Sequence, residues 1–201
     1  WAGAVYDMVR RVLEVPLTGE PDGLRLKWVP PADRLNELEF YFPLQRLSGS
    51  RLREVFGLCL GSSQDAAVPS AFERLQFRPL EGFMKGFMDL VFRFGERFYL
   101  VDWKSNFLGS RLADYAQEAL QKAMTEHFYH LQYHLYVAAI HKYLAARLPG
   151  YRYDSHFGGV FYLFLRGVDP AGGSDYGIYR HRPSEATIEA LCQKLIGSAR
   201  P

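Results

Sequence analysis

The sequence predicts an α/β fold in which a central mixed β-sheet is flanked by helices, and three observations carry that prediction. Two strand-like runs, Lys85 to Phe94 and Arg97 to Ser105, are separated only by Gly95-Glu96, which reads as a hairpin. From Leu112 to Leu148 the apolar periodicity becomes helical. Phe157 to Leu165 is then an almost continuous apolar and aromatic run containing Gly158-Gly159, the pattern of a buried strand.

The remaining elements fit around these. Val5, Met8, Val9, Val12 and Leu13 recur at helical spacing until Pro16 and Thr18-Gly19 stop the pattern, so the chain opens with a helix. Leu38-Glu39-Phe40-Tyr41-Phe42, bounded by Pro43, is short and aromatic and reads as a strand. The helical stretch divides near Thr125, and Pro149-Gly150 ends its second half. Ser184 caps a last helix that runs to Ile196. The order helix, strands, hairpin, helices, strand, helix is that of a sheet with helices packed against it.

With 201 residues and 48% hydrophobic content, the chain can bury the core of a single domain spanning residues 1–201. It opens at Trp1, without an initiator Met, directly into helical periodicity, which suggests a domain of a longer polypeptide. A net charge of +2 permits contact with a polyanion without requiring one. Cys59 and Cys192, far apart in the chain, suggest neither a disulfide framework nor a thiolate zinc site, which fits a reducing, cytoplasmic setting. Apolar runs are interrupted by Arg, Asp or Lys before membrane-spanning length, so no membrane partner is expected.

The hairpin supplies the chemistry. Paired residues across an antiparallel turn have numbers with a constant sum, and pairing 94 with 97 extends to Asp89 opposite Asp102. Directly opposed β-carbons are about 4.5–5.5 Å apart, close enough for two carboxylates to repel unless a cation neutralises them. Lys104 is two residues beyond Asp102 and shares its face, whereas Trp103 points away. Hard oxygen donors at close quarters suit Mg²⁺ or Mn²⁺, which polarises a phosphate and acidifies water. Lys104 would orient that water or stabilise the charge that develops on the phosphoryl oxygens. A surface Asp102–Lys104 pair with a solvated Asp89 is the structural alternative, against which the apolar flanks Phe87, Leu90, Val91, Leu100 and Val101 argue. Phosphate chemistry that ignores the base leaves RNA open as a substrate beside DNA.

Gly86-Phe87-Met88-Asp89 followed by Val101-Asp102-Trp103-Lys104-Ser105-Asn106 resembles the motif of the PD-(D/E)XK nucleases, whose restriction-endonuclease-like core is a mixed sheet between helices. Lys85 to Arg93, Asp102 to Asn106, Leu131-Gln132-Tyr133-His134-Leu135-Tyr136 and Phe157 to Asp169 together resemble the C-terminal nuclease domain of the RecB family, the helicase–nuclease subunits of RecBCD (exodeoxyribonuclease V). The blocks cover Lys85 to Asp169, and before Leu80 the likeness is confined to Glu39 through Leu44. The resemblance implies Mg²⁺ bound by Asp89, Asp102 and the backbone carbonyl of Trp103, with Lys104 as the catalytic lysine. It also places Gln132 and Tyr136, one turn apart on a helix, at the active-site edge or the DNA backbone. It further implies DNA, particularly single strands, as substrate, RecC- and RecD-like subunits and a RecA-like recombinase as partners, and a role in double-strand-break processing. No Gly-x-x-x-x-Gly-Lys-Ser/Thr loop occurs, so ATP hydrolysis belongs elsewhere.

One departure bears on the metal. The family also uses a histidine on an N-terminal helix as a ligand, and all six histidines here lie from His127 onward, so that helix is expected to be missing from this sequence. The departure sustains an alternative, a nuclease-like scaffold that makes protein or DNA contacts without catalysis. Glu81 is an acidic candidate outside the matching blocks. His130 and His134 have a metal-binding spacing but no convincing third ligand, so a dedicated zinc site is disfavoured, and His127 and His141 read as surface or core-edge residues. Gly158-Gly159 reads as close packing rather than a phosphate loop. Arg46, Arg51, Arg53, Arg74 and Arg78 form a basic segment that could track phosphates or simply face solvent.

Overall fold

The computed structural model describes residues 1–18, 23–47, 54–55, 57–59 and 80–195. Four helices and five strands carry the argument: α1 (Ala2–Glu14), β1 (Arg34–Leu47), β2 (Leu80–Phe94), β3 (Arg97–Lys104), α2 (Gln117–Glu126), α3 (Tyr129–Arg147), β4 (Phe157–Phe164), β5 (Ile178–His181) and α4 (Glu185–Leu195). The strands form one mixed sheet in the order β1-β2-β3-β4-β5, with β2–β3 and β4–β5 antiparallel and β3–β4 parallel. The predicted mixed sheet with flanking helices is therefore the observed fold.

Contacts divide the chain into two units, one comprising residues 1–38, 88–123 and 156–182, the other residues 39–87, 124–155 and 183–201. In the first unit the sheet face bearing Leu90, Phe92, Val101, Phe161 and Leu163 buries Val12 of α1 together with Val15, Leu17, Leu24, Leu26 and Val29. The apolar stripe of α1 is covered only towards its C-terminal end, since Val5 and Val9 stay about half exposed. Tyr99 is stacked between Phe92 and Phe161, at centroid distances of 5.1 and 5.9 Å. In the second unit α3 buries Tyr133, Val137, Ala138, Ile140 and Leu144.

The turn between α2 and α3 falls where the sequence divides the helical stretch. Phe128 adopts a left-handed φ of 56° there, which an α-helix cannot continue through. Ser184 Oγ accepts from the Thr187 amide at 3.1 Å and caps α4 as expected. β5 was not anticipated, and β1 and β2 both extend beyond their predicted bounds. Arg51, Arg53, Arg74 and Arg78 lie outside the described residues, as do the side chains of Arg46 and Glu81. Among the described residues no helix is long and apolar enough to cross a membrane.

The carboxyl end of β4 matters most for the site, because Phe164 is the parallel partner of Lys104. It is held by Gly177: the Phe164 amide donates to the Gly177 carbonyl at 2.8 Å, and the Gly177 amide donates to Tyr115 O at 3.0 Å. Gly177 has φ of 70°, and a β-carbon there would come within 2.4 Å of the Gly167 carbonyl carbon. Left-handed strain and a backbone clash act together, so Gly177→Ala should cost about 2–4 kcal/mol and lower Tm by roughly 5–15 °C. A thermal melt of the variant indistinguishable from the unmodified chain would refute this account of the turn.

Candidate active site on the central hairpin

The hairpin adopts the register that the constant sum requires. Phe94 pairs with Arg97, Arg93 with Phe98, and the ladder continues to Leu90 with Val101. The next positions are Asp89 and Asp102. There the Asp89 side chain turns into the ladder, and its Oδ2 accepts the Trp103 amide at 2.8 Å. The hydrogen bond fixes one carboxylate against the β3 backbone beside the other.

Asp102 and Lys104 are only 5% and 9% exposed, which excludes the surface-pair alternative. Lys104 Nζ lies 2.5 Å from Asp102 Oδ1 and 5.0 Å from the centre of the Tyr162 ring on β4. Tyr162 is itself the parallel partner of Asp102. The lysine therefore sits in an anionic and aromatic cradle that offsets the loss of its hydration. Asp102 Oδ1 is fully buried, and the Lys104 ammonium lies against it.

Burial raises the Asp102 pKa above its usual value, the Lys104 ammonium opposes that rise, and the Asp89 charge adds to it. Desolvation dominates, so the carboxylate remains under-compensated even with a lysine in contact. Such a group can act as a hard anionic ligand or a polarising acceptor. Among the described residues no cluster of three or more His, Cys, Asp or Glu side chains is found.

The other predicted residues fall into two classes. Gln132 and Tyr136 belong to the second unit, where Gln132 Nε2 donates to Tyr136 Oη at 2.9 Å and both line a pocket of about 290 Å³ with Phe40, Met84 and Leu135. His130 and His134 are buried and satisfied: Tyr133 Oη lies 3.1 Å from His130 Nδ1, and His134 Nδ1 contacts the His130 carbonyl at 2.7 Å. They are structural, as are the buried Cys59, whose thiol burial pushes up to about 12, and Cys192. Gly158 packs beneath the Tyr99 ring, where a β-carbon would approach to 2.1 Å, in keeping with the packing role read for it. Tyr162 escaped sequence reasoning because its place beneath Lys104 depends on the β3–β4 register, for which nothing local in the sequence provides a signal.

No family model matches the chain. It is 38% identical over 198 residues to RecBCD enzyme subunit RecB of Escherichia coli (strain K12), an alignment covering 98% of this chain and 16% of that protein. The same-named proteins of Haemophilus influenzae and Mycolicibacterium smegmatis are 40% and 36% identical, with 94% and 92% of this chain aligned to 15% and 19% of theirs. The chain thus spans about one sixth of the length of these relatives.

A raised carboxyl pKa has a measurable consequence. The folded chain holds its proton more tightly than the unfolded chain does, so Asp102 favours folding below the usual 3.8 and loses that contribution as pH rises through the folded value. With divalent cations chelated, the Tm of Asp102→Asn should therefore gain on that of the unmodified chain between about pH 4 and pH 7. A difference that shrinks over that interval would mean that the Lys104 attraction outweighs the burial cost.

Proposed function

Over its own length this chain belongs to the RecB family, and from that premise we propose that it is a metal-dependent deoxyribonuclease domain that hydrolyses phosphodiester bonds of single-stranded DNA. The observation that carries the reading is the buried, under-compensated Asp102 carboxylate beside Asp89, in contact with Lys104.

The donor set suits Mg²⁺, with Mn²⁺ as a substitute. Mg²⁺ is commonly held by one or two carboxylates while water and substrate phosphate oxygens fill its other positions, so a two-carboxylate site is sufficient in kind. Asp102 keeps a raised pKa even with the Lys104 ammonium against its Oδ1, and Asp89 is the neighbour whose repulsion a cation would cancel. Asp89, Asp102 and the Trp103 carbonyl would hold the ion. When bound, it would supply Lewis acidity to a phosphate and lower the pKa of water.

The protein's own groups do the rest. The Trp103 amide fixes the Asp89 carboxylate, so that little reorganisation is needed on binding. Lys104, restrained by Asp102 and Tyr162, presents an ammonium where negative charge builds on the phosphoryl oxygens, or orients the attacking water. Low exposure strengthens both effects by excluding bulk solvent. No histidine precedes Asp89 in this chain, so the ligands it offers at the hairpin are oxygens. In the complete polypeptide the domain would act on unwound strands at double-strand breaks, with RecC- and RecD-like subunits and a RecA-like recombinase as partners. The catalytically silent scaffold is the competing reading, favoured by the direct Asp102–Lys104 contact, which is a recognised structural use of two opposite charges.

Cleavage of labelled single-stranded DNA with Mg²⁺, and with EDTA as control, separates the two. Asp102→Ala and Lys104→Ala should each lower the rate at least about a hundredfold while leaving the circular dichroism spectrum unchanged. Equal cleavage by Asp102→Ala and the unmodified chain, or no metal-dependent cleavage by either, would remove the nuclease assignment for this chain and leave the scaffold.

A further inference from the structure

The carboxyl ends of β3 and β4 carry a feature that the carboxylates and lysine do not use. Phe107, three residues beyond Lys104, is 66% exposed. The Arg166 guanidinium lies 5.8 Å from the centre of its ring, and Arg166 Nε donates to the Ser105 carbonyl at 3.2 Å. Arg166 lies two positions beyond Phe164, the partner of Lys104 across the parallel ladder.

The loop that presents Phe107 is tied down at several points. Besides the Arg166 bond to Ser105, the Leu108 amide donates to Tyr115 Oη at 3.2 Å, and Tyr115 is almost wholly buried. Arg111 donates to Asp114 through both its amide and its guanidinium, at 2.9 Å each. A phenyl ring held in water by a restrained loop loses little conformational entropy on binding. A cation lies over one face of it, which leaves the other for a ligand, and the guanidinium is exposed, with its hydrogen bond among the described residues made through Nε.

We propose that Phe107 and Arg166 form a nucleotide platform, with the Phe107 ring stacking an unpaired base of single-stranded nucleic acid and Arg166 taking an adjacent phosphate. A flat apolar ring recognises the face of any base, and a guanidinium recognises phosphate oxygens. Bases inside a duplex have both faces covered by neighbours, so the platform selects unpaired strands. At most about 10 Å of extended chain separates Phe107 from Lys104, so a strand engaged by the platform passes close to the hairpin carboxylates. The proposal rests on the nuclease reading and names how that site takes its substrate.

The test reads binding rather than cleavage, by fluorescence anisotropy of a labelled oligothymidine in EDTA. Phe107→Ala should weaken binding roughly tenfold or more, and Phe107→Trp should retain it. On an abasic oligomer with the same phosphates, Phe107→Ala and the unmodified chain should bind alike. Arg166→Ala should weaken binding to both oligomers and reduce the salt slope by about one. Unchanged oligothymidine binding by Phe107→Ala, an equal loss on the abasic oligomer, or no oligothymidine binding by the unmodified chain overturns the platform. The outcomes are separable from those of the cleavage assay. A chain that cleaves yet binds normally as Phe107→Ala keeps the nuclease and loses the platform; base-dependent binding without cleavage does the reverse.

Discussion

The structure turns on a buried anion that its own fold does not fully neutralise. Asp102 lies on a strand covered on both faces, next to Asp89 and in contact with Lys104. The attraction of one lysine is offset by desolvation and by the second carboxylate, so the balance stays on the side of cost. Sheet geometry keeps the three groups together. Antiparallel pairing of β2 with β3 up to Leu90 and Val101 brings the two aspartates close to each other, the two-residue period puts Lys104 on the Asp102 side, and parallel pairing of β3 with β4 places Tyr162 under the ammonium.

Around that constraint the first unit is a supporting frame. The opposite sheet face is packed against α1 and the segment that follows it, which fixes β3 without drawing on the charged residues. Beyond Lys104 the chain is clasped again, with Phe164 bound to Gly177, Gly177 to Tyr115, and Tyr115 to Leu108. These bonds connect the end of β4, the entry to β5 and the loop after β3, close to the strand ends that carry charge. Costly groups persist in a fold only where the surroundings over-determine them.

Much of this was legible in the sequence, and the reason is that hairpins are local. Once Gly95-Glu96 is identified as a turn, the period of two assigns a side to every residue from Asp89 to Lys104, and the register found is the one that arithmetic gives. Helix punctuation is equally local, as Phe128 and Ser184 show. What was not legible depends on distant partners. β5 is four residues long and half polar, and becomes a strand only because β4 offers it an edge. The place of Tyr162 under Lys104 needs the parallel register, set by a crossover of more than fifty residues from Lys104 to Phe157. The imidazoles of His130 and His134 illustrate the converse, since helical spacing alone fits both a ligand pair and the satisfied core histidines that they are.

On the proposed reading, the donors described at the hairpin bear on how such a site would work. A cage of many protein ligands satisfies its ion completely and leaves no vacancy for a substrate oxygen, as structural metal sites do. Two carboxylates and a carbonyl leave most of an octahedron to water and phosphate, so ion and substrate would each be held partly by the other. The residual cost at Asp102 then acquires a role, because the carboxylate gains most when a cation arrives. An isolated chain of this composition should hold its ion weakly by itself and more firmly with a strand in place, a coupling that binding linkage makes reciprocal.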